Sequence, residues 1–373
     1  MALILSALVP LGYVSASATN DFGAGWQVMP NAGSSGALLD AVSCMPQADC
    51  VAVGQLLRNT FIEQSDAAGW SGEKSPDPAV SPGINTLAGV SCWSASQCMA
   101  VGSFTRTSTC TFSPGSTCRF RGAIRALVES SNNKRWSATE PASLAADDLF
   151  SGVSCSGSRT CMAVGHSSGP APESRTLVES WNGSKWSVMT NASVPGVLYG
   201  ISCATSQACA AVGSNEGRPL IESWDGKRWA VAPTGATPTT PDAYELDAVS
   251  CVSGPYCTAV GYTDGSGPDR PVIVHQAGAS WTLVSSPNMA TGVLQGITCS
   301  GLAACTAVGS TGFDNSQALI ERFVGGRWVM VAGAPATGAE LSGVSCSGVP
   351  QMCTAVGSYT VRGATRPLVE KNT

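Results

Sequence analysis

The chain has 373 residues, with 20 lysines and arginines against 25 aspartates and glutamates. Only 12% of its residues are charged and 43% are hydrophobic, which indicates a globular protein and excludes a disordered one. The formal net charge of −5 and the lack of a basic run exclude the dense phosphate contacts of nucleic-acid binding, so we expect no nucleic-acid partner.

The N-terminal segment has the pattern of a secretory signal. An apolar stretch over 2–14 is followed by Ala-Ser-Ala at 16–18, which is typical of a signal-peptidase site. We therefore predict a signal peptide over 1–18 and a single domain over 19–373. The apolar stretch, interrupted by Pro10, is shorter than the roughly 20 residues that cross a bilayer, so we expect no membrane span after cleavage. Because positive residues are missing before the stretch, an uncleaved anchor is the alternative.

One phrase, AVSCMPQADCVAVG at 41–54, begins a repeat that occurs seven times. Its first cysteines lie 48 residues apart, except for steps of 63 and 47 residues. Each repeat contains four short strand patterns, named a to d in chain order, and no helical period of apolar residues. A period of this length with four strands is typical of a propeller blade. We therefore predict an all-β fold, a seven-bladed β-propeller with four strands per blade.

The two ends of the chain predict how the ring closes. The last repeat ends after RPLVEKNT without a Trp-led strand d, whereas an isolated Trp-led strand, GWQVM, stands at 25–29. We expect this N-terminal Trp strand to pair with the C-terminal blade, which protects the sheet edges. The tryptophans of strand d are Trp26, Trp70, Trp136, Trp186, Trp229, Trp281 and Trp328.

The link from strand c to strand d carries Asn182-Gly183 in one repeat and Asp225-Gly226 in the next. These pairs favour a type I′ turn with positive φ at both central residues. With a two-residue turn, Glu179 would lie opposite Trp186. The sequence therefore predicts a tight hairpin that sets the glutamate beside the tryptophan.

Two polar residues recur in strand c. A glutamate closes the Leu-Val/Ile-Glu phrase in six repeats, and an arginine stands four residues before that position in five. Because a catalytic group has no reason to recur around a ring, we interpret the glutamates as acceptors for buried Trp N–H groups. The arginines predict an ion-pair lattice, with an anion-binding ring as the alternative. These residues are Glu63, Glu129, Glu179, Glu222, Glu321 and Glu370, and Arg125, Arg175, Arg218, Arg270 and Arg366.

Fourteen of the sixteen cysteines form one closely spaced pair per repeat, and two more lie in an insertion in the second repeat. In an exported chain this spacing predicts local disulfides that staple strands a and b. Metal binding is the alternative, but zinc needs four converging ligands and the two histidines cannot complete the sites, so we expect no metal. The predicted pairs are Cys44–Cys50, Cys92–Cys98, Cys110–Cys118, Cys155–Cys161, Cys203–Cys209, Cys251–Cys257, Cys299–Cys305 and Cys346–Cys353.

The phrases VSC…C-x-AVG and LVE-x-W-N/D-G-x-x-W resemble those of a large set of secreted propeller proteins from high-GC bacteria. The resemblance covers nearly all of the chain after the signal and implies the propeller fold and export, but that set has no settled activity. A more distant similarity links Ser180-x-Asn182-Gly183-x-x-Trp186 to Asp-box propellers. That motif is one residue shorter here, so sialidase-type chemistry does not carry over.

The candidate binding site lies where the repeats vary. The residue two before the Val/Ile of strand a differs from repeat to repeat, and the d–a and b–c loops beside it vary most. In a propeller the innermost strand lines the axis and begins on the face that carries these loops, here called the loop face. A variable surface on a rigid scaffold is a usual place for binding, although drift of surface loops would give the same variation. We predict as ligand-binding residues Asp40, Tyr199, Asp247, Gln295, Tyr244 and Asp264.

The sequence contains no clear catalytic motif. His166 and His275 lie in different repeats, and no G-x-S-x-G phrase or Gly-rich phosphate loop accompanies them. We expect no catalytic site and no cofactor. The sequence therefore favours a secreted, monomeric binding module for a glycan or an extracellular protein. The alternatives are a glycosidase or lyase using carboxylates such as Asp242, Glu245, Asp247 or Asp264 near the axis, and a passive structural or adhesive surface protein.

Overall fold

A computed structural model describes fourteen segments of the chain, and the predicted signal peptide and the Cys110–Cys118 pair lie outside them. The described residues are 25–46, 49–78, 83–106, 123–139, 141–142, 147–168, 174–190, 194–233, 243–264, 267–288, 291–312, 316–334, 336–347 and 352–372. Within these segments no helix has the length and apolar character to cross a membrane.

The described residues form 28 β-strands. The chain begins with β1 (Trp26–Val28), and blade 1 follows with β2 (Ala37–Cys44), β3 (Cys50–Leu56), β4 (Asn59–Asp66) and β5 (Gly69–Glu73). Blade 2 has β6 (Asn85–Ser94), β7 (Gln97–Arg106), β8 (Ala123–Asn132) and β9 (Arg135–Thr139). Blade 3 has β10 (Asp148–Gly157), β11 (Thr160–Ser167), β12 (Arg175–Trp181) and β13 (Trp186–Val188).

The remaining blades repeat this order. Blade 4 has β14 (Val197–Thr205), β15 (Ala208–Asn215), β16 (Arg218–Trp224) and β17 (Trp229–Val231). Blade 5 has β18 (Ala243–Ser253), β19 (Tyr256–Asp264), β20 (Pro271–Ala277) and β21 (Ser280–Val284). Blade 6 has β22 (Val293–Gly301), β23 (Ala304–Thr311), β24 (Gln317–Val324) and β25 (Arg327–Ala332). Blade 7 has β26 (Glu340–Ser347), β27 (Met352–Val361) and β28 (Ala364–Asn372).

The strands form seven antiparallel four-stranded sheets arranged in a ring, and this confirms the predicted seven-bladed β-propeller. Strands a to d follow one another from the axis outward in each blade. The fourth strand of blade 7 is β1, which pairs with β28 and sets Trp26 opposite Asn372. The predicted closure by the N-terminal Trp strand is therefore confirmed.

The hydrophobic core lies between neighbouring blades instead of inside single ones. In one cluster, Val212 and Ile221 of blade 4 pack with Leu246 and Trp281 of blade 5. Five of the strand d tryptophans are buried, and those of blades 1 and 2 are partly buried. Each outer strand thus anchors its blade through an indole ring packed against buried side chains.

A recurrent glycine shapes the inner strands. The last residue of each AVG phrase approaches a carbonyl group of strand a so closely that a Cβ atom would lie 1.9–2.1 Å from its oxygen. In blade 4, for example, Gly213 faces the carbonyl oxygen of Val197. Only glycine permits this approach, which accompanies a β-bulge in the facing strand.

Within the described segments, the serine of the VSC phrase joins one blade to the next at six of the seven blade boundaries. The hydroxyl oxygen of Ser43 accepts a hydrogen bond from the backbone N–H of Cys92 at 3.0 Å. The same bond links Ser345 of blade 7 to Cys44 of blade 1 at 2.9 Å, so the series runs across the closure. Equivalent bonds occur at Ser91, Ser154, Ser202 and Ser250.

Seven disulfides join strands a and b at directly opposed positions, as in the pairing of Cys203 with Cys209. The predicted bridges are confirmed for every pair within the described residues. Each bridge lies next to the end of the hairpin that is remote from the loop face. The face opposite the loop face is therefore covalently fixed.

The c–d hairpins of blades 3 and 4 differ from the prediction of a two-residue turn, whereas those of blades 1, 2, 5 and 6 have two residues between the paired strands. Trp181 pairs with Trp186, which leaves a four-residue loop, and Glu179 lies opposite Val188 instead of Trp186. Only Gly183 of the Asn-Gly pair has positive φ, at 95°. The side-chain oxygen of Asn182 instead accepts hydrogen bonds from two following backbone N–H groups, so an Asx turn replaces the type I′ turn.

The recurrent glutamates have a structural role, but their partners are not the tryptophans. The indole N–H groups of Trp186, Trp229 and Trp281 have no hydrogen-bond partner among the described residues. Instead, the backbone N–H of Ala142 donates to Glu179 at 2.8 Å, and the Ser286 hydroxyl donates to Glu321 at 2.7 Å. In both cases the donor belongs to the connection that arrives from the preceding strand d.

The arginines do not form the predicted lattice throughout. Arg218, Arg270 and Arg366 make no ion pair with an acidic residue in the described segments. The ion pairs at 3.8–3.9 Å join Lys134 to Asp66 and Arg228 to Asp225, both at the surface. Exposed ion pairs contribute little to stability, so hydrogen bonds and packing hold the blades together.

Candidate functional site

The variable position of strand a is a β-bulge in every blade. In blade 4, Leu198 pairs with Gly213 and Gly200 pairs with Val212, which leaves Tyr199 as the extra residue. A bulge turns its residue out of the regular ladder. Six of these residues are partly buried and Gln295 is exposed, so all of them have contact with the solvent near the axis. They are Asp40, Ala88, Ser151, Tyr199, Asp247, Gln295 and Ser342.

Four polar side chains from blades 4 and 5 meet beside the axis. The Tyr199 hydroxyl donates to one carboxylate oxygen of Glu245 at 3.4 Å, and the Tyr262 hydroxyl donates to the other. Asp247 lies two residues farther along β18, and burial next to the Glu245 charge raises its pKa to about 7. Burial and the same carboxylates raise the pKa of Tyr199 to about 12. The cluster thus holds two carboxyl groups within reach of two phenols.

Asp40 lies in blade 1, apart from this cluster. Burial raises the pKa of its carboxyl to about 6, and a hydrogen bond with the Thr86 side chain lowers it in part. Its hydrogen-bond partner belongs to blade 2, so Asp40 contributes to the contact between these blades. The structure therefore places Asp40 next to Thr86 and apart from Tyr199.

A cavity of about 450 Å³ opens on the loop face beside the four-residue cluster. It is lined by Tyr262 and Asp269 of blade 5, Val293 and Gln295 of blade 6, and Glu340 of blade 7. The backbone of Thr291, Gly292 and Gly312 completes the wall. This volume lies within the range of roughly 300–1,000 Å³ that is usual for small-molecule sites. We call it the loop-face pocket.

The b–c loop of blade 5 and the connection into blade 6 are tied together at this pocket. The backbone N–H of Gly292 donates to the carbonyl oxygen of Asp269 at 2.9 Å, and Asn288 donates through its side chain to the carbonyl of Thr291 at 2.8 Å. These bonds fix the rim of the pocket. A preformed rim lowers the conformational cost of binding.

The side chains of Gln295 and Glu340 face the pocket without competing contacts. Neither makes a hydrogen bond or ion pair with another described residue, and both residues are exposed. Each therefore offers hydrogen-bonding capacity that a ligand can use. Of the predicted site residues, Gln295 lines this pocket, and Tyr199 and Asp247 lie in the adjoining cluster.

Two other predicted site residues have different environments. Tyr244 is 2% exposed and packs with Leu246 and Trp281 in the core between blades 4 and 5. It is a core residue because alternate residues of β18 point away from the axis. The placement of Tyr244 thus gives no support to its predicted role. Asp264 lies at the end of β19, where its backbone pairs with Ala243 of β18.

Tyr262, Glu245 and Glu340 also belong to the candidate site. None of the three is among the predicted ligand-binding residues, and Glu245 is predicted only as a carboxylate of the alternative enzyme. Tyr262 directly follows the AVG phrase, where other blades have Gln, Ser or His. Glu245 and Glu340 stand two residues before the bulge, where other blades have Leu, Thr or Val. Because side chains alternate along a strand, a search of the variable positions at a spacing of two would have found the last two.

A second hollow, of about 540 Å³, lies at the rim of blade 6 and contacts Met330, Ala332 and Ala334. Its wall consists mainly of small apolar residues and backbone. It is larger than the loop-face pocket but contains no charged side chain among the described residues. Specific recognition needs placed polar groups, and these occur at the loop-face pocket.

These features define the chain as a seven-bladed β-propeller with a pocket on its loop face, and comparisons with solved structures agree with the fold. YCF48 from Cyanidioschyzon merolae matches with a TM-score of 0.56 and 12% identity, over 92% of this chain and 98% of that one. A chain of a mitotic checkpoint complex matches with a TM-score of 0.53 and 13% identity, over 100% and 98% of the two chains.

A GH74 xyloglucanase from Xanthomonas campestris also matches, with a TM-score of 0.53 and 11% identity. The match covers 91% of this chain and 54% of the xyloglucanase. No protein-family model matches the chain, and no curated protein matches it. At such low identities the comparisons establish the propeller fold alone.

Proposed function

We propose that the protein is a secreted binding module that holds a glycan in the loop-face pocket. The observation that carries this proposal is the pairing of a preformed cavity of about 450 Å³ with the unpartnered side chains of Gln295 and Glu340. The opposite face repeats the same staples in every blade. The pocket lies on the loop face, where the residues differ from blade to blade.

The lining of the pocket suits a polyhydroxyl ligand. Tyr262 and Val293 provide apolar surface for the faces of a sugar ring, while Gln295 and Glu340 accept or donate hydrogen bonds at its hydroxyl groups. A protein partner would need an interface of at least about 1,000 Å², much of it outside the pocket. The concave shape favours the smaller ligand.

Secretion fits the covalent framework. Seven disulfides within one chain are typical of an oxidising compartment, where they persist. Glycans are abundant outside the cell, so the compartment and the ligand class agree. We also propose that residues 1–18 are a signal peptide and that the protein comes from a high-GC bacterium.

A glycan array followed by calorimetric titration of the strongest ligand tests the proposal. We expect Gln295→Ala to weaken binding by about two- to twelvefold, because one hydrogen bond is worth roughly 0.5–1.5 kcal/mol. Ser151→Ala changes the same bulge position in blade 3 and serves as the matched control. Absence of glycan binding, or equal losses in the two variants, would count against the pocket as the site.

The pair Glu245 and Asp247 raises a second candidate, a glycosidase. A carboxyl with its pKa raised to about 7 beside a second carboxyl fits an acid and its partner. The two residues lie on the same strand, however, whereas glycosidases place their carboxyls on opposite sides of the scissile bond. Hydrolysis of array-selected glycans that is lost in Asp247→Asn would favour this candidate over binding alone.

A further inference from the structure

We propose that the ligand of the loop-face pocket carries a cationic amine, so that the pocket selects amino sugars over neutral and N-acetylated sugars. This inference rests on the proposed glycan-binding function and specifies its ligand class. Its basis is the sign of the charges around the pocket together with the aromatic surface at its wall.

The charged residues that line the pocket are all acidic within the described part of the chain. Asp269 and Glu340 approach it from blades 5 and 7, and neither lysine nor arginine contributes to its wall. Glu340 has no cationic neighbour in the described segments that would neutralise it. An ammonium group in the pocket would therefore gain a charge-assisted hydrogen bond.

The four-residue cluster adds negative charge behind Tyr262. Glu245 accepts hydrogen bonds from the Tyr199 and Tyr262 hydroxyl groups, whereas burial raises the pKa of Asp247 to about 7, so Asp247 is mostly protonated at pH 6.0. A ligand cation near Tyr262 would be attracted by the Glu245 charge across a partly buried site. The Tyr262 ring can also attract the cation through its face.

The excess of acidic over basic residues extends around the axis. The bulge positions and the positions two residues before them lie at the inner edge of the loop face. They contribute the acidic residues Asp40, Glu245, Asp247 and Glu340 and no lysine or arginine. A field of one sign in a concave site attracts ligands of the opposite sign.

Calorimetric titration with three β-1,4-linked tetrasaccharides tests the inference. The probes are tetramers of glucosamine, N-acetylglucosamine and glucose, which share a backbone and differ in charge and substituent. Each is measured at pH 6.0, where most of the glucosamine amines are protonated, in low and high salt. We expect the glucosamine tetramer to bind at least about tenfold more tightly than the others, with affinity falling as salt rises.

Glu340→Gln removes one charge and keeps nearly the same shape. We expect it to weaken binding of the glucosamine tetramer at least about threefold and to leave the neutral tetramers unchanged, since a partly exposed ion pair is worth up to about 1 kcal/mol. Glu216→Gln removes an exposed charge from a b–c turn in blade 4 and is the control.

The outcomes separate this inference from the proposed function. Equal affinity for charged and neutral tetramers, or binding only of a neutral glycan that depends on Gln295, would overturn the amine preference and leave glycan binding intact. No binding of any glycan would overturn both. A glucosamine preference that is undiminished in Glu340→Gln would contradict the assignment of the charge to this pocket.

Discussion

Gln295 occupies a position whose side chain can change without disturbing the ladder around it. Leu294 pairs with Gly309 and Gly296 pairs with Val308, so the flanking residues set the register and the residue between them is unpaired. Across the seven blades this position holds Asp, Ala, Ser, Tyr, Asp, Gln and Ser. The bulge therefore gives a repetitive chain one adjustable side chain per blade at the axis.

The glycine opposite the bulge allows the first prediction. A Cβ on Gly309 would lie 1.9 Å from the carbonyl oxygen of Val293, which cannot move without breaking the ladder. We expect Gly309→Ala to lower the free energy of unfolding by several kcal/mol, or to prevent folding. Gly301→Ala is the control in the same blade, because a Cβ added there would meet no atom within 4 Å. Chemical denaturation of both variants should show a loss only for Gly309→Ala.

Ser250 supports the second prediction. Its hydroxyl oxygen accepts the backbone N–H of Cys299 at 2.9 Å, across the boundary between blades 5 and 6. Ser250→Ala leaves that N–H without its partner, and we expect a loss of about 1–3 kcal/mol. Ser250→Thr keeps the hydroxyl and should retain most of the stability. Equal losses in the two variants would mean that packing matters more than the hydrogen bond.

At the scale of elements, β1 is three residues long but completes blade 7. Trp26 is 6% exposed, and the backbone N–H of Met29 extends the pairing with the carbonyl of Val369 at 2.8 Å. Without β1, the outer edge of β28 would be unpaired. An unpaired apolar edge is a site of aggregation as well as of lost stability.

Truncation gives the third prediction. A chain that begins at residue 31 lacks β1 and Trp26, and we expect it to lose several kcal/mol, because removal of a buried tryptophan alone typically costs about 3–5 kcal/mol. A chain that begins at residue 19 should melt at the same temperature as the full chain, since it keeps the whole strand. The measurement is the melting temperature of the two truncated chains and the full chain under non-reducing conditions. Equal values for the two truncations would contradict closure by β1.

The sequence predicted the elements better than their details. Repetition of the AVSC and CxAVG phrases was enough for the blade count and the seven described disulfides, and the isolated Trp strand at 25–29 was enough for the closure. The c–d turn was mispredicted because Asn182 forms an Asx turn, which uses its side chain and does not need positive φ. Tyr244 was expected at the site, but β18 begins one residue before it, and the alternation of that strand turns it toward the core.

The site itself could be predicted only in part. Variation at Gln295 and Asp247 was visible in the repeats, but the pocket depends on Glu340 from the next blade and on Tyr262 from the neighbouring strand. These contacts arise from the ring geometry, which sequence spacing does not specify. The prediction therefore located the loop face but not the side of the axis on which the pocket opens.

At the scale of the whole molecule, the blades are joined by two kinds of repeated contact. Serine hydroxyl groups link inner strands near the axis, and buried glutamates of strand c bind the connections that arrive from the preceding blade. Such buried acceptors cost free energy unless they are paired, and one carboxyl oxygen of Glu321 and one of Glu370 make no hydrogen bond with a described residue. The glutamates are fully buried in six blades, and blade 5 has Val274 in their place.

The buried glutamates make the stability of the ring depend on pH. Burial raises the pKa of Glu63, Glu129 and Glu321 to about 7, and it raises the pKa of Glu370 as well. Between about pH 4.5 and 7 the folded chain holds protons that the unfolded chain releases. Stability from these groups is therefore fully present below about pH 4.5 and is lost as the pH rises through about 7.

Glu321→Gln tests this pH dependence of stability at the contact between blades 5 and 6. Glu321 is buried and accepts a hydrogen bond from Ser286 at 2.7 Å, and glutamine keeps an acceptor there without a titratable proton. We expect the variant to gain stability relative to the wild type between pH 5 and pH 8, by roughly 1–3 kcal/mol. Burial lowers the pKa of His166 and His275, which acts in the opposite direction, but both proteins share these residues and their effect cancels. Denaturant midpoints at the two pH values, with the exposed Glu216→Gln as control, measure the difference. An unchanged difference between wild type and variant would show that Glu321 stays ionised in the folded ring.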